Sequence, residues 1–378
     1  MRILFLINNL SIGGAEVHTV QLSRELTHLG HQVCICYFSK VNSFQKVLEN
    51  AGVLSVCVNP RPDYYKPWTF SIAAKQVIAL CDQFKPDLIH SHLELADVLG
   101  QKVAIKKRIP HVITIHNTHW WNIHNLAALW RTRYRKYWLE KGNPLFIAVS
   151  RECARTLIKN TRARNDSIEV IHIGIKLEDY GPSKWQQEDY APKDIKLLCI
   201  GRLDWIKGQD ELINAMAMPE LSSLPVTLKI IGDGTFRRYL ENLVKTLKLQ
   251  NKVLFLGTRK DIPDQLRDSD LYIQPSRSEG MGISLVEALA SGLPVVVTNV
   301  PSMIEVLNTE PGLGSIVPKD NPKKLAEAIS KLIDNPTECR KQAILGLKSS
   351  KSFELQASVT KIVELYTYAC SRDIIRQY

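Results

Sequence analysis

Residues 271–298 have the sequence LYIQPSRSEGMGISLVEALASGLPVVVT, which contains two short apolar runs and a helical pattern between them. The run Leu271–Gln274 predicts a buried strand, and Pro294–Thr298 predicts another. Between the two, a glycine-containing loop leads into an apolar helix that begins near Ile283. A strand, a helix and a second strand in this order are typical of a parallel sheet with helices on its faces. This stretch therefore predicts an α/β fold.

The same alternation extends outward along the whole chain. Further strands are predicted in the second half at Leu197–Ile200, Thr227–Ile231 and Val253–Leu256, and in the first half at Ile3–Ile7, Gln32–Tyr37, Leu88–His90, His111–Ile115 and Phe146–Val149. The first strand is followed by a predicted helix from about Ala15 to Leu29. Two successive sets of buried strands indicate two Rossmann-like domains, whose ligands bind beyond the carboxyl ends of the strands. We therefore expect the two domains to face each other across a cleft that holds the site.

The length of 378 residues also favours two domains, because single domains usually contain roughly 100–200 residues. The segment Tyr180–Lys193 is polar, contains two prolines and lacks apolar periodicity, so we predict a linker there. An N-terminal domain then spans residues 1–180 and a C-terminal domain spans residues 181–350. Residues 351–378 contain a predicted helix, Glu354–Ala369, that we expect to cross back to the N-terminal domain.

The bulk composition is that of an ordinary globular protein, with 45% hydrophobic and 23% charged residues. The apolar start at residues 1–7 is too short for a secretory signal, and no run approaches the roughly 18 apolar residues of a membrane span. The eight cysteines are scattered without a Cys-x-x-Cys pair, which is typical of reduced thiols rather than of a disulfide framework or a zinc site. We therefore expect a cytoplasmic protein.

The formal net charge of +11 is unevenly distributed, with +9 on residues 1–180 and +2 on residues 181–378. An excess of this kind indicates an anionic partner for the first half. No nucleic acid is expected, because the chain has no helix-turn-helix, RNP or zinc-finger pattern. A phospholipid surface or a pyrophosphate-linked acceptor is favoured instead. Residues 130–138, WRTRYRKYW, mix cations with aromatic rings, which suits a membrane interface and suits a solvated helix with core-facing aromatics equally well.

The loop and helix start at residues 278–288 carry the strongest sign of a binding site. Glycines let backbone N–H groups approach a ligand closely, and a helix N-terminus attracts an anion such as phosphate. Glu279 in the loop and Glu287 in the helix flank that point, and carboxylates accept hydrogen bonds from the hydroxyls of a sugar or ribose. The structural alternative is two ordinary helix acids. That alternative is disfavoured because an apolar helix seldom contains an acid that has no partner.

A second candidate site follows the strand at Leu197–Ile200. Gly201 permits a tight strand exit, and Arg202 and Lys207 can donate charge-assisted hydrogen bonds to a diphosphate without a metal ion. The alternative is that both are solvated surface cations. Their position at the carboxyl end of a parallel strand, where ligands bind, disfavours that alternative.

Two features of the first half are weaker signs of a binding site. Gly13 and Gly14 lie between the first strand and its helix, where they let the loop approach a ligand, although a plain helix-start loop fits as well. His116 follows a predicted strand and suits a hydrogen bond to a substrate hydroxyl, with a satisfied structural histidine as the alternative. His119 and His124 lie nearby, but the spacing gives no helical ligand face, so we expect no metal site.

Four segments together resemble the retaining glycosyltransferases of family 4, which have the GT-B architecture. They are GGAE at residues 13–16, GRLDWIKG at 201–208, GDG at 232–234 and SEGMGISLVEALASGLPVV at 278–296. The resemblance runs from the first strand to the C-terminal helix, and the two glutamates separated by seven residues are its most specific part. It implies an N-terminal acceptor-binding domain and a C-terminal domain that binds a nucleotide-sugar donor.

The resemblance also implies a role for each motif. Arg202 and Lys207 hold the donor diphosphate in place of a metal ion, Glu287 binds the ribose hydroxyls, and Glu279 contacts the transferred sugar. His116 lies near the reacting sugar. The remaining donor-binding positions implied are Gly13, Gly14, Gly201, Gly232, Gly234, Gly280, Met281, Gly282, Ile283 and Ser284. No cofactor and no general base are implied.

The sequence therefore predicts a retaining transferase that moves a hexose or N-acetylhexosamine from a UDP- or GDP-sugar to a glycan or lipid-linked acceptor. Members of the family that the chain resembles commonly act in bacterial surface polysaccharide or lipopolysaccharide synthesis. The resemblance therefore favours that pathway, at the inner face of the cytoplasmic membrane and with peripheral contact to anionic lipid. A catalytically silent sugar-nucleotide-binding scaffold and a nucleotide-sugar epimerase of similar architecture are the alternatives.

Overall fold

A computed structural model describes residues 1–59, 62–63, 66, 68–118 and 126–375 of the chain. These residues form two compact units. Unit 1 consists of Met1–Ile173 together with the C-terminal segment from Gln356, and unit 2 consists of Gly174–Leu355. Each unit is built around its own parallel sheet.

Unit 1 contains a sheet of seven described strands in the order β3-β2-β1-β4-β5-β6-β7, all parallel. The strands are β1 Arg2–Ile7, β2 Gln32–Tyr37, β3 Leu54–Cys57, β4 Leu88–His92, β5 His111–Ile115, β6 Leu145–Ala148 and β7 Ile168–Val170. The helices are α1 Gly14–His28, α2 Gln45–Asn50, α3 Trp68–Phe84, α4 Glu94–Lys107, α5 Leu126–Glu140 and α6 Arg151–Asn160. The central strands are buried along almost their whole length, because helices cover both faces of a parallel sheet.

Unit 2 contains a sheet of six described strands in the order β10-β9-β8-β11-β12-β13, again all parallel. The strands are β8 Ile195–Ile200, β9 Val226–Ile231, β10 Val253–Gly257, β11 Leu271–Gln274, β12 Val295–Thr298 and β13 Ser315–Val317. The helices are α7 Gln209–Met216, α8 Pro219–Ser222, α9 Arg237–Thr246, α10 Ile262–Arg267, α11 Ile283–Ala290, α12 Pro301–Leu307, α13 Pro322–Ile333 and α14 Pro336–Ser350. The predicted α/β class with two parallel sheets is confirmed.

The last helix, α15, spans Leu355–Ile375. From Gln356 onward it belongs to unit 1. Its apolar stripe is buried as the spacing predicts, with Val359, Ile362 and Tyr366 at most 2% exposed. The Tyr366 hydroxyl lies 2.5 Å from His90 Nδ1 in β4.

The segment predicted as a linker, Tyr180–Lys193, is packed against unit 2. Trp185 is 2% exposed, and its indole N–H donates to the Asp270 carbonyl at 2.7 Å. Ser183 Oγ donates to the Gly292 carbonyl at 2.5 Å. The polar stretch belongs to unit 2 because its aromatic and hydroxyl side chains find partners there, and the chain passes from unit 1 to unit 2 after Ile173.

Both sheets have a point where the strand order reverses. In unit 1 it lies between β1 and β4, and in unit 2 it lies between β8 and β11. At such a point the neighbouring crossover helices lie on opposite faces of the sheet, which leaves a crevice beyond the carboxyl ends of the strands. Each unit therefore offers one position where a ligand site is expected.

Candidate active site

The reversal point of unit 2 is occupied by an ion pair between Lys207 and Glu279. Lys207 follows β8 in a 3₁₀ turn, Trp205–Lys207, and Glu279 follows β11 in the glycine loop. Lys207 Nζ donates to both carboxylate oxygens of Glu279, at 2.7 and 2.8 Å. The side chains are 26% and 7% exposed. The structure thus brings the two predicted motifs of the C-terminal half into direct contact.

Two further side chains hold the Glu279 carboxylate in place. Gln274 Nε2, at the end of β11, and Ser276 Oγ each donate to Glu279 Oε1, at 2.8 and 2.7 Å. Burial alone raises the pKa of Glu279, but the positive charge and hydrogen bond of Lys207 and the bonds from Ser276 and Gln274 outweigh it. The net pKa is lowered, so the group is a carboxylate at neutral pH. Neither Gln274 nor Ser276 was predicted, although a glutamine ending an apolar strand is a usable signal.

Glu287 has a different environment, one turn into α11. It is half-buried, and Tyr180 Oη donates to Glu287 Oε1 at 2.8 Å. Burial raises the pKa of this carboxyl to about 7, and the Tyr180 bond opposes the rise only in part. Glu287 therefore titrates near neutral pH. Tyr180 lies in the segment predicted as a linker, which is why sequence reasoning missed it.

Arg202, the second residue predicted to bind the diphosphate, is more exposed to solvent than Lys207. Its side chain is 63% exposed, and its guanidinium lies 3.4 Å from Asp204 Oδ2. Gln209 Nε2 donates to the Arg202 carbonyl at 3.1 Å and so fixes the backbone at this position. The described structure does not bring Arg202 into contact with Glu279. Its guanidinium is accessible to solvent and therefore to an anion.

Glycines allow the backbone segments of this site to pack closely. Gly208 has φ +66°, and a Cβ there would lie 2.0 Å from the Pro275 carbonyl oxygen. A Cβ on Gly232 would lie 2.0 Å from the Gly201 carbonyl oxygen, and one on Gly234 would lie 2.2 Å from that of Leu203. The predicted glycines after β9 therefore contact the exit of β8. In the structure, Gly232 and Gly234 thus allow close backbone packing, and their predicted role in donor binding stays a prediction.

The glycine loop ends where the sequence predicts, at the start of α11. Gly282 has φ +90°, a conformation that favours glycine, and the helix begins at the next residue, Ile283. Gly280 and Met281 are buried, and Ser284 Oγ lies 3.4 Å from the Ile200 carbonyl oxygen in β8. The predicted loop residues 280–284 are thus adjacent in space to the strand that leads to Arg202 and Lys207.

Arg277 holds the two motifs together and was not predicted. Its guanidinium donates to Asp210 at 2.8 and 2.9 Å, to Glu211 at 2.8 Å and to Asp320 at 2.6 Å. It also lies over the ring of Trp205, 4.8 Å from the centroid. These anionic partners raise the pKa of Arg277 and keep it charged although burial opposes the charge. Because Trp205 begins the turn that carries Lys207, Arg277 positions that lysine.

The reversal point of unit 1 is occupied by histidines. His116 follows β5, and its Nε2 lies 2.9 Å from Nδ1 of His92, the last residue of β4. The ring of His18, in α1, lies 6.0 Å from that of His92 and 5.9 Å from that of His116. Burial lowers the pKa of all three, with His18 at about 4. The three imidazoles are therefore neutral at physiological pH.

The other predicted features of unit 1 lie at the start of α1 or outside the described residues. Gly13 is the extended residue before α1, and Gly14 is its first residue. His119, His124, Trp120 and Trp121 lie outside the described residues. Within the described part of the chain, no set of three or more His, Cys, Asp or Glu side chains is arranged to hold a metal ion. Metal independence remains a prediction.

The aromatic and basic segment at residues 130–138 forms part of α5. Trp130 is 43% exposed and stacks on Tyr134, and Lys102 Nζ lies over the ring of Trp138 at 5.1 Å. Arg135 is instead buried beside Asp97, with an Nη2 to Oδ2 distance of 3.4 Å. The helix thus carries both an exposed aromatic ring and a buried cation, and its contact with a membrane remains a prediction. Among the described helices, none combines the length and the apolar character that a bilayer crossing requires.

Two family descriptions match the chain, "Glycosyltransferase Family 4" over residues 12–179 and "Glycosyl transferases group 1" over residues 183–346. The D-inositol 3-phosphate glycosyltransferase of Corynebacterium diphtheriae is 25% identical, over 96% of this chain and 91% of that protein. The GPI3 subunit of phosphatidylinositol N-acetylglucosaminyltransferase from Saccharomyces cerevisiae is 27% identical, over 79% of this chain and 68% of that protein. The crystal structure of Anabaena HepE in complex with UDP-glucose superposes with a TM-score of 0.83 and 24% identity, over 97% and 100% of the two chains.

The fold and the matched segments define a glycosyltransferase of the GT-B type. Together the two matches take in most of the chain, which contains a Glycosyltransferase Family 4 domain and a Glycosyl transferases group 1 domain and so belongs to the family 4 glycosyltransferases. The likeness to HepE concerns the fold. The family predicted from the four sequence segments is therefore confirmed.

Proposed function

We propose that this chain is a retaining, metal-independent glycosyltransferase that moves a hexose or N-acetylhexosamine from a UDP- or GDP-sugar to a glycan or lipid-linked acceptor. The observation that carries the proposal is the ion pair between Lys207 and Glu279 at the reversal point of unit 2. A pyrophosphate needs fixed positive charge, and a sugar needs hydrogen-bond acceptors. The pair supplies both within one loop cluster.

The leaving diphosphate gains negative charge as the sugar departs. Lys207 is held by Glu279, and the exposed Arg202 lies five residues before it on the same segment. Cations positioned before the reaction stabilise that charge without reorganising, which is the work that a metal ion does in other enzymes. This chemistry relies on electrostatic stabilisation and positioning, and we assign no general base.

Glu279 and Glu287 divide the recognition of hydroxyl groups. Glu279 is ionised and buried, so it accepts hydrogen bonds from the transferred sugar. Glu287 has a pKa of about 7 and accepts from the ribose hydroxyls in its ionised form. Donor affinity should therefore increase as the pH rises through 7.

The relatives and the charge distribution support the wider proposal. Two relatives are named for glycosyl transfer to inositol compounds: one for D-inositol 3-phosphate, and the other for phosphatidylinositol and an N-acetylglucosaminyl group. HepE has been crystallised with UDP-glucose. The excess of +9 on residues 1–180 suits a phosphate-bearing or membrane-associated acceptor. We accordingly propose surface polysaccharide or lipopolysaccharide synthesis at the inner face of the cytoplasmic membrane.

The test is donor turnover with a panel of UDP- and GDP-sugars, with and without a chelator. We expect one donor to be consumed, equally in both conditions, with the anomeric configuration retained in the product by NMR. Nucleotide binding without turnover in the presence of acceptor extracts would indicate a silent scaffold. Conversion of the sugar without release of nucleotide would indicate an epimerase, and loss of activity with chelator would contradict metal independence.

A further inference from the structure

Three structural elements of unit 1 bring histidines to one place. His18 comes from the second turn of α1, His92 is the last residue of β4, and His116 immediately follows β5. Ring centroids are separated by 5.2 Å for His92 and His116 and by about 6 Å for the other two pairs. Sequence reasoning identified His116 alone. The alternating His-Ser-His at the end of β4 was the available signal for the second member.

The contact between His92 and His116 couples their protonation states. Both rings are neutral because burial removes the water that would stabilise their charged forms, so the pKa of each is lowered well below its ordinary value. A neutral imidazole carries one N–H and one bare nitrogen. In the 2.9 Å contact, His92 Nδ1 and His116 Nε2 must therefore be one donor and one acceptor. The tautomer of one ring fixes that of the other.

The burial of His92 selects one of the two arrangements. His92 is 0% exposed, and its Nε2 has no hydrogen-bond partner within the described structure. A buried N–H without a partner is rarer in proteins than a buried acceptor without one. Nε2 of His92 is therefore the bare nitrogen, and its Nδ1–H donates to Nε2 of His116. His116 then carries its proton on Nδ1.

The neighbours of His92 are arranged to keep its ring fixed. Phe5 of β1 stacks on it with ring centroids 5.5 Å apart. The next residue, Leu93, has φ +73° and ψ 156°, a backbone conformation that is almost confined to glycine. A leucine is strained in this conformation, and such strain is concentrated at functional sites. The strained residue thus directly follows His92 at the end of β4.

We propose that His92 is a positioning residue: its Nδ1–H holds His116 in one orientation and in the tautomer that presents Nδ1–H as the remaining donor. The role of His116 itself rests on the proposed function, in which it lies near the reacting sugar. A neutral donor at that point suits a sugar hydroxyl oxygen. An anionic group would favour a charged imidazole, which this burial opposes.

Two variants separate positioning from packing. His92→Phe keeps a ring against Phe5 and removes the donor. His92→Asn loses the ring but places an amide N–H close to the position of Nδ1. We expect kcat of His92→Phe to fall about 100-fold, as a misplaced group does, with the donor KM within twofold of wild type. We expect His92→Asn to recover most of the lost kcat. Wild-type kcat in His92→Phe, or equal loss in both variants, would overturn the proposal.

A second measurement does not depend on activity. Nitrogen NMR of the wild-type protein labelled with ¹⁵N-histidine, assigned with His116→Gln and His92→Asn, reports which nitrogen of His116 is protonated. We expect a protonated Nδ1 and a bare Nε2 in wild type and in His92→Asn, and a mixture in His92→Phe. A protonated Nε2 in wild type would overturn the inference even if transfer is observed. The predicted spectrum without any sugar transfer would instead contradict the proposed function.

Discussion

The two units have polar groups at the same topological position, but these groups are charged in unit 2 and neutral in unit 1. In unit 2 the buried groups are charged and paired, with Lys207 Nζ bonded to both oxygens of Glu279. In unit 1 the buried groups are three imidazoles, whose pKa values burial lowers until they are neutral. Both are reversal points of parallel sheets, so the fold fixes where a site lies, and the side chains decide what it binds.

The difference indicates a division of chemistry between the units. A charged group is stable in a protein interior only beside a partner, whereas an imidazole can lose its proton instead. Under the proposed function, the cations of unit 2 suit a diphosphate, and the neutral donors and acceptors of unit 1 suit hydroxyls. The predictions below test this contrast, beginning with the largest expected effect.

Removing Arg277 should have the largest effect on stability. The guanidinium is 9% exposed and pairs with Asp210, Glu211 and the exposed Asp320, so Arg277→Met leaves the two largely buried carboxylates, Asp210 and Glu211, without their partner. Breaking such a network lowers the free energy of unfolding by about 3–5 kcal/mol. The measurement is urea unfolding. The matched control is Arg267→Met, whose exposed pair with Asp264 should contribute at most about 1 kcal/mol. Equal losses would show that unit 2 does not depend on its buried charges.

Removing Lys207 should have the largest effect on catalysis. Lys207→Met deletes the fixed cation beside the glycine loop, and loss of one such donor lowers kcat by about 10²–10³-fold. Steady-state rates measure it, with the folded state checked by circular dichroism. Lys196→Met is the control, because Lys196 also makes a 2.8 Å ion pair, with Asp268, away from the loop. If both variants lose activity alike, Lys207 has no special role.

Glu287 should give unit 2 a characteristic pH dependence. Its pKa is about 7 in the folded chain and 4.5 in an ordinary carboxyl, so between these values the folded state holds a proton that the unfolded state has lost. Stability then falls as the pH rises from about 4.5 to 7 and is level above that range. Glu287→Gln should remove this fall, which we expect to be roughly 1–3 kcal/mol. Urea unfolding at several pH values measures it, and parallel curves for the two proteins would contradict the raised pKa.

Tyr180→Phe should have the smallest effect. It removes the 2.8 Å hydrogen bond to Glu287, which contributes about 0.5–1.5 kcal/mol. Because that bond lowers the folded-state pKa of Glu287, its loss should extend the pH-dependent fall in stability to higher pH. The exposed Tyr239 provides the control variant, Tyr239→Phe, for which we expect no change. A Tyr180→Phe curve that coincides with the control would mean that the bond does not tune Glu287.

The central strands of both sheets could be predicted because they are continuous apolar runs. β2, β5 and β11 have the predicted bounds. The edge strands β3, β7 and β13 were missed. They have three or four residues each and are only partly buried, so their sequences lack the apolar run that marks a central strand.

The site could be predicted only where its residues are close together in the sequence. The glycine loop with Glu279, and the segment with Arg202 and Lys207, are linear motifs. The pairing of Lys207 with Glu279 joins residues 72 positions apart, and that of Tyr180 with Glu287 joins residues 107 positions apart. Such contacts follow from sheet topology rather than from spacing. The same holds for His92, whose partner His116 immediately follows the neighbouring strand β5.

The most direct test of the account is a calorimetric comparison of UDP and uridine, and of GDP and guanosine, binding to wild type, Lys207→Met and His116→Ala. We predict that in wild type the diphosphate of one pair is bound more tightly than its nucleoside. The gap should shrink at least tenfold in Lys207→Met and persist in His116→Ala. A gap that is unchanged in Lys207→Met, or that is lost only in His116→Ala, would contradict the claim that unit 2 holds the diphosphate through its buried ion pair.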